Sequence, residues 1–118
     1  MKLSVIIPCY NEEKTIAQII EKVIKNNYQN KEIIIVDDCS TDRSRNILDN
    51  YKKNEQFKVI YNEKNMGKGY CIRAAIDVAS GDICLIQDAD LEYDPSEHTL
   101  LLEPILQGVA DVVYGSRF

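Results

Sequence analysis

Five short runs rich in β-branched and apolar residues recur along this 118-residue chain, separated by segments whose apolar residues fall at helical spacing. The runs at 3–8, 32–36, 57–61, 82–86 and 111–114 read as strands. Where apolarity is nearly unbroken, as in Ile33-Ile34-Ile35-Val36, both strand faces must be covered, which is the condition of a parallel sheet. Between the first two runs, Ile16, Ile19, Ile20, Val23 and Ile24 form one helical stripe. Ile47, Leu48 and Tyr51 give a shorter one, and Ile72, Ala75, Ile76 and Ala79 a third whose alanines allow close packing on a sheet. Leu100, Leu101, Ile105 and Leu106 predict a fourth helix, entered through Pro95, closed near Gly108 and kinked or shortened at Pro104. The order βαβαβαβαβ predicts an open, mostly parallel α/β sheet with right-handed crossovers and helices on both faces.

The length suits one compact domain, residues 1–118, with no repeat or linker. The pattern stops just after the fifth run without a closing helix, which reads as a truncated, N-terminal part of a larger protein, although a fifth strand can also simply be terminal. Apolar residues at 45% and charged residues at 28% fit a globular chain. A net charge of -5 argues against a nucleic-acid groove, which needs a basic face, so a polyanion would bind here through a cation. The four cysteines, at positions 9, 39, 71 and 84, form no CxxC pair and read as reduced packing residues of a cytoplasmic protein. The amino terminus lacks the length of a signal peptide, and no window reaches the 18 or more apolar residues of a membrane span.

The chemistry-bearing residues cluster where strands would end. Gln87-Asp88-Ala89-Asp90-Leu91-Glu92 places three acidic side chains directly after Ile83-Cys84-Leu85-Ile86, at the edge where parallel sheets keep their ligands. Carboxylates two positions apart there suit a hard divalent cation with oxygen ligands, although an acidic loop exposed to water has the same spacing. Pro8-Cys9-Tyr10-Asn11-Glu12-Glu13 leaves the first strand. Its tyrosine and glutamate fit a nucleobase or ribose, while Asn11 as N-cap followed by two first-turn acids also fits an ordinary helix start. The second strand ends in Asp37-Asp38-Cys39-Ser40-Thr41-Asp42, where Ser40, Thr41 or Asp42 read as helix caps and the adjacent aspartates need separate tasks. Asn65-Met66-Gly67-Lys68-Gly69-Tyr70 reads either as a plain turn or as a loop whose glycines allow close backbone approach and whose Lys68, at a helix N-terminus, meets a phosphate or carboxylate. It matches neither the P-loop nor the dinucleotide fingerprint. Gly115-Ser116-Arg117 follows the last strand at the same edge, and His98, without a second histidine, reads as a surface residue.

Taken together, SVIIPCYNEEKTI, EIIIVDDCSTD, NMGKGYCIRAA, SGDICLIQDADLEYDP and DVVYGSRF resemble, in order and spacing, the donor-binding half of family 2 glycosyltransferases. The resemblance is strongest to the dolichyl-phosphate mannosyltransferase and polyprenyl-phosphate glycosyltransferase branch. It implies a GT-A-type, Rossmann-like fold that binds a nucleotide-diphospho-sugar. By motif position, Pro8, Tyr10, Glu12, Val36 and Asp38 would line the nucleoside pocket, and Asp88 and Ala89 would approach the ribose and diphosphate. Asp90, the catalytic residue the resemblance implies, would hold Mg2+ or Mn2+ with Glu92, and Arg117 would reach the diphosphate or sugar. Glu92 stands where the mannosyltransferase branch often carries glutamine, so the donor, GDP-mannose or a UDP-sugar, stays open. The implied reaction is in-line displacement at the anomeric carbon, with a polyprenyl or dolichyl phosphate as acceptor. A phosphate acceptor needs little general-base help. A glycan or polysaccharide hydroxyl, the alternative acceptor, would need a base that the family places beyond this segment. The resemblance also implies that this segment binds donor without efficient turnover, and that the full-length protein works at the cytoplasmic face of a membrane.

A receiver-like phospho-signalling domain has the same size, but it expects acidic pairs after the first strand and an aspartate after the third, where this chain has Tyr61-Asn62. A nicotinamide-dependent oxidoreductase would carry GxGxxG in the first turn, where this chain has PCYNEE.

Overall fold

The computed structural model describes residues 2–25, 30–87 and the backbone of 112–114. The elements follow in the order β1 (Leu3–Cys9), α1 (Ile16–Lys25), β2 (Lys31–Asp37), α2 (Ser44–Asp49), β3 (Phe57–Tyr61), α3 (Lys68–Val78), β4 (Ile83–Ile86) and β5 (Val112–Tyr114). All five expected strands are present, with ends displaced by at most one residue. The expected fourth helix, with Pro95, His98, Pro104 and Gly108, lies outside the described residues.

The strands pair in parallel in the order β3-β2-β1-β4-β5. All seven residues of β2 are buried, as its unbroken apolar run requires. Strand alternation divides the core in two. Leu3, Val5, Ile7, Ile33, Ile35 and Leu85 pack with Ile16, Ile19, Ile20 and Val23 of α1 and Leu48 of α2. Ile6, Ile34 and Val36 face the other way, against Cys71 and Ala75 of α3. Each fully buried isoleucine or leucine contributes about 1.5–3 kcal/mol. The stripe on α3 departs from expectation: Cys71 and Ala75 are its buried line, while Ile76 is 44% exposed. Successive turns drift around the axis, so Ile76 falls at the border of a face that the small Ala75 already brings close to the sheet.

The amino edge of the sheet is closed by a buried carboxylate. Glu32 Oε2 accepts hydrogen bonds from Ser4 Oγ at 2.6 Å, Ser80 N at 2.6 Å and Ser80 Oγ at 3.0 Å, and Lys58 Nζ lies 3.0 Å from Oε1. Gly81 N donates to Ser4 Oγ at 2.9 Å. A Cβ on Gly81 would come within 2.8 Å of Ser4 N and 2.9 Å of Lys2 O, so only glycine lets β4 start this close to β1. Burial raises the Glu32 pKa, but the hydrogen bonds from Ser4, Ser80 and Lys58 outweigh it and bring it down to about 2.

A depressed carboxylate stabilises the fold above its unfolded pKa, and that stability is lost as pH falls through the folded value. In urea titrations between pH 7 and pH 2, Glu32→Gln should be less stable than the parent by about 1–3 kcal/mol at pH 7. The gap should narrow as pH falls from about 4.5 toward 2. Parallel curves across that window would remove Glu32 from this role.

Candidate functional site

Strand order places a crevice at the carboxyl edge. From β1 the chain crosses to β2 and β3 on one side, then returns past β1 to β4 on the other. The carboxyl ends of β1 and β4 therefore diverge at a topological switch point, where open α/β sheets bind ligands. Tyr10-Asn11-Glu12 leaves β1 on one side of this point, and β4 runs into Gln87, buried and bonded through its N–H to Ile6 O at 2.8 Å, on the other. Asp88, Ala89, Asp90, Glu92 and Arg117 lie outside the described residues.

The other five sequence candidates lie at or just past the carboxyl ends of β1 and β2. Pro8 and Val36 are register partners on β1 and β2, and Asp38 N bonds Cys9 O at 2.9 Å. Tyr10 is 45% exposed and Glu12 half-buried on the loop after β1, and Val36 is fully buried against α3.

The loops after β1 and β2 are stapled to each other. Asn11 N donates to Ser40 Oγ at 2.9 Å, Asn11 Oδ1 accepts from Thr41 N at 2.7 Å, and Glu13 N donates to Asp42 Oδ2 at 3.2 Å. Glu12 N donates to Ser44 Oγ at 3.0 Å. Asn11 adopts φ of 52°, a left-handed conformation that asparagine tolerates better than most residues. It does not cap α1, whose first turn is instead closed by Ile16 N on Glu12 O at 2.8 Å. Of the three expected helix caps only Asp42 touches the first turn of α2, accepting from Ser44 N at 2.8 Å. Ser40 and Thr41 bond the neighbouring loop.

The adjacent aspartates point their charges at different partners. Asp37, fully buried, takes Arg45 Nε at 2.7 Å and Ser40 N at 3.1 Å on Oδ2, and the Ser40 hydroxyl on Oδ1. Arg45 also donates to Asn62 O, and its guanidinium sits 5.0 Å over the Tyr61 ring. One side chain thus ties β2, α2 and β3 together. Asp38, 5% exposed, accepts from Met66 N at 2.7 Å and Asn62 Nδ2 at 3.0 Å on Oδ1, and from Gly67 N at 2.9 Å on Oδ2. Burial raises its pKa, but these donors prevail and hold it below the usual carboxylate range. The loop opening α3 is thus bound by the chain's own Asp38. Gly67, at φ of 91°, supplies the turn that presents both amides.

Sequence reasoning misses Arg45 and Asn62 as partners of the acidic pair, and Asn11 as the link to Ser40 and Thr41. The signal available for Arg45 was the need of Asp37, at the end of a buried strand, for a countercharge. Burial lifts the Cys9 thiol to about 12 and the Cys71 thiol to about 11, which disfavours the thiolate at both positions. Among the described residues, no three His, Cys, Asp or Glu side chains cluster closely enough to hold a metal ion.

A sequence profile described as glycosyl transferase family 2 matches residues 4–118. The chain belongs to this family. It is 37% identical over 120 residues to the dolichol-phosphate mannosyltransferase of Pyrococcus furiosus, covering 100% of this chain and 34% of that protein. Among solved structures, S. aureus TarS 1-349 in complex with UDP-GlcNAc superposes with a TM-score of 0.76 at 32% identity, over 92% of this chain and 32% of its own. A mannosyltransferase from Pyrobaculum calidifontis in complex with GDP-Man and Mn2+ shares the fold at TM-score 0.73 and 23% identity, over 83% of this chain and 30% of its own. The chain thus spans about a third of the length of these relatives. The expected GT-A-type α/β architecture is the one observed.

If Asp38 organises the loop before α3, Asp38→Ala should speed hydrogen exchange at the Met66 and Gly67 amides about tenfold or more, with Ile6 and Ile34 unchanged. Unchanged protection at both loop amides would show that the loop holds itself.

Proposed function

We propose that this chain forms the donor side of a metal-dependent glycosyltransferase that moves a hexose from a nucleotide-diphospho-sugar to a polyprenyl or dolichyl phosphate. The observation that carries this reading is the strand order β3-β2-β1-β4-β5, which brings the exit of β1, with Tyr10 and Glu12, opposite the exit of β4, which leads into Asp88-Ala89-Asp90. The lipid phosphate acceptor is supported by the likeness to a dolichol-phosphate mannosyltransferase. The nucleotide-sugar donor is supported by the likeness to TarS in its complex with UDP-GlcNAc.

Tyr10 presents an exposed aromatic face for the nucleoside, and Pro8, Glu12, Val36 and Asp38 complete the pocket in this reading. Asp38 is held ionised by the donors from Met66, Asn62 and Gly67. Asp88 and Ala89 approach the ribose and diphosphate, and Arg117 pairs with diphosphate oxygens.

Carboxylate oxygens suit Mg2+ or Mn2+, and the donor set fits: Asp37 and Asp38 are taken up by protein donors, which leaves the acidic run after β4. Asp90 and Glu92 would hold the ion, whose charge would stabilise the departing nucleoside diphosphate. The bond from the anomeric carbon to the diphosphate oxygen breaks as an acceptor oxygen bonds to that carbon. A phosphate acceptor is anionic at neutral pH and brings its own nucleophile, so no base need be drawn from this chain.

Calorimetric titration with GDP, UDP, GDP-mannose and UDP-glucose, each with Mn2+ and with EDTA, tests the reading. Binding should require the cation, and Asp90→Asn should weaken it at least tenfold, roughly 1.4 kcal/mol, without lowering the melting temperature. Equal affinity in Mn2+ and EDTA, or in the parent and Asp90→Asn, would contradict it.

A further inference from the structure

The two acidic networks of this edge meet at one residue. Asn62 directly follows β3, and the register that pairs Tyr61 with Asp37 sets it level with Asp38. Its N–H donates to Asp37 O at 2.9 Å, which carries the ladder one residue past β3. Its carbonyl accepts from Arg45, the partner of the Asp37 carboxylate. Its side chain, on a residue only 8% exposed, turns to the other acid: Nδ2 donates to Asp38 Oδ1 at 3.0 Å and lies 3.4 Å from Cys71 Sγ of α3.

Two features separate this amide from packing filler. The other donors to Asp38, Met66 N and Gly67 N, are consecutive amides where the loop enters α3. Asn62 stands at the opposite end of that loop, bonded to β2 through Asp37 O, so it fixes the carboxylate to the sheet while the other two fix it to the loop. The second feature is a cost: Asn62 Oδ1 has no hydrogen-bond partner among the described residues. Buried acceptors are normally met, and an apolar side chain would avoid the loss. What the amide contributes is therefore its donor on Asp38. The reverse amide orientation would set two acceptors face to face.

Resting on the donor-binding reading above, in which Asp38 lines the nucleoside pocket, we propose that Asn62 is a positioning residue of the donor site. Its side-chain amide orients the Asp38 carboxylate, and its backbone ties that carboxylate to the Arg45–Asp37 pair. It acts on the donor through Asp38.

Asn62→Asp tests this, because it keeps the shape and loses the donor only when it ionises. The groups facing position 62 are the Asp38 carboxylate after β2, the Cys71 thiol of α3, and the Arg45 guanidinium of α2, which already holds Asp37. Burial keeps the thiol neutral, so Asp38 dominates. Two carboxyls this close share one proton and hold it above the usual carboxylate range. While the proton stays, the new acid donates to Asp38 as the amide does. As pH rises it leaves, and like charges face each other.

Calorimetric titration with GDP and UDP in Mg2+ between about pH 5 and pH 8, on the parent, Asn62→Asp and Asn62→Ala, reads the effect as a ratio to the parent. That ratio cancels the titration of the nucleotide itself, and melting curves at each pH establish that the variants are folded. For whichever nucleotide the parent binds, Asn62→Asp should match it within about threefold at the low end and fall at least about tenfold behind at the high end. Asn62→Ala should be weaker by about tenfold throughout. Ser4→Ala, which removes a buried hydrogen bond at the opposite edge, should lower the melting temperature and leave affinity unchanged. A ratio for Asn62→Asp that is flat with pH, or Asn62→Ala binding like the parent, would overturn the positioning role and leave the donor reading standing. Failure of the parent to bind either nucleotide would overturn both.

Discussion

The arrangement of this sheet edge depends on one buried carboxylate, that of Asp37. It sits at the last position of a strand whose seven residues are all buried, where an ionised group without partners would be prohibitively costly. Its charge is met by Arg45 from α2 and by the amide and hydroxyl of Ser40. Those partners reach further: Arg45 to the backbone of Asn62 after β3, and Ser40 to the backbone of Asn11 after β1. Asp37 is fully buried while the Arg45 side chain is 36% exposed, so removing the arginine would leave an uncompensated buried charge. Three loops are thereby held at one edge before any ligand arrives.

The two ends of the sheet solve the same electrostatic problem to different effect. At the amino edge, Glu32 is surrounded by Ser4, Ser80 and Lys58, and the close approach at Gly81 leaves no room for a ligand. At the carboxyl edge, Asp37 turns inward and Asp38 turns toward the amides that open α3. Adjacent like charges coexist there because each has its own donors. The result is a rigid rim around an open crevice, suited to a ligand that brings its own charge and aromatic surface.

Much of this fold is legible in the sequence because its strands are β-branched runs and its first helix carries an uninterrupted isoleucine stripe. Ile76 misleads because an apolar residue at the border of a helical face satisfies the spacing without being buried. At the site, Tyr10, Glu12 and Asp38 are recognisable from their positions after strands. The work of Asn11, Arg45 and Asn62 is not, since each acts across a gap of 8 to 30 residues that only the folded sheet closes. Spacing along the chain made Asn11 look like a helix cap, whereas the parallel pairing of β1 with β2 turned it into a bridge between loops. The acidic run after β4 was conspicuous in the sequence, but its side chains lie outside the described residues.

The central claim is that the proposed donor site lies at the carboxyl edge of the sheet, around the exits of β1, β2 and β4, and leaves the amino edge untouched. Titrating the 15N-labelled chain with GDP and with UDP in Mg2+ while following its amide resonances tests this most directly. The account predicts that the Tyr10, Glu12, Asp38, Met66 and Gly67 amides shift with at least one nucleotide while those of Lys2, Ser80 and Gly81 stay in place. Shifts gathered at the amino edge, or none at the carboxyl edge, would contradict it.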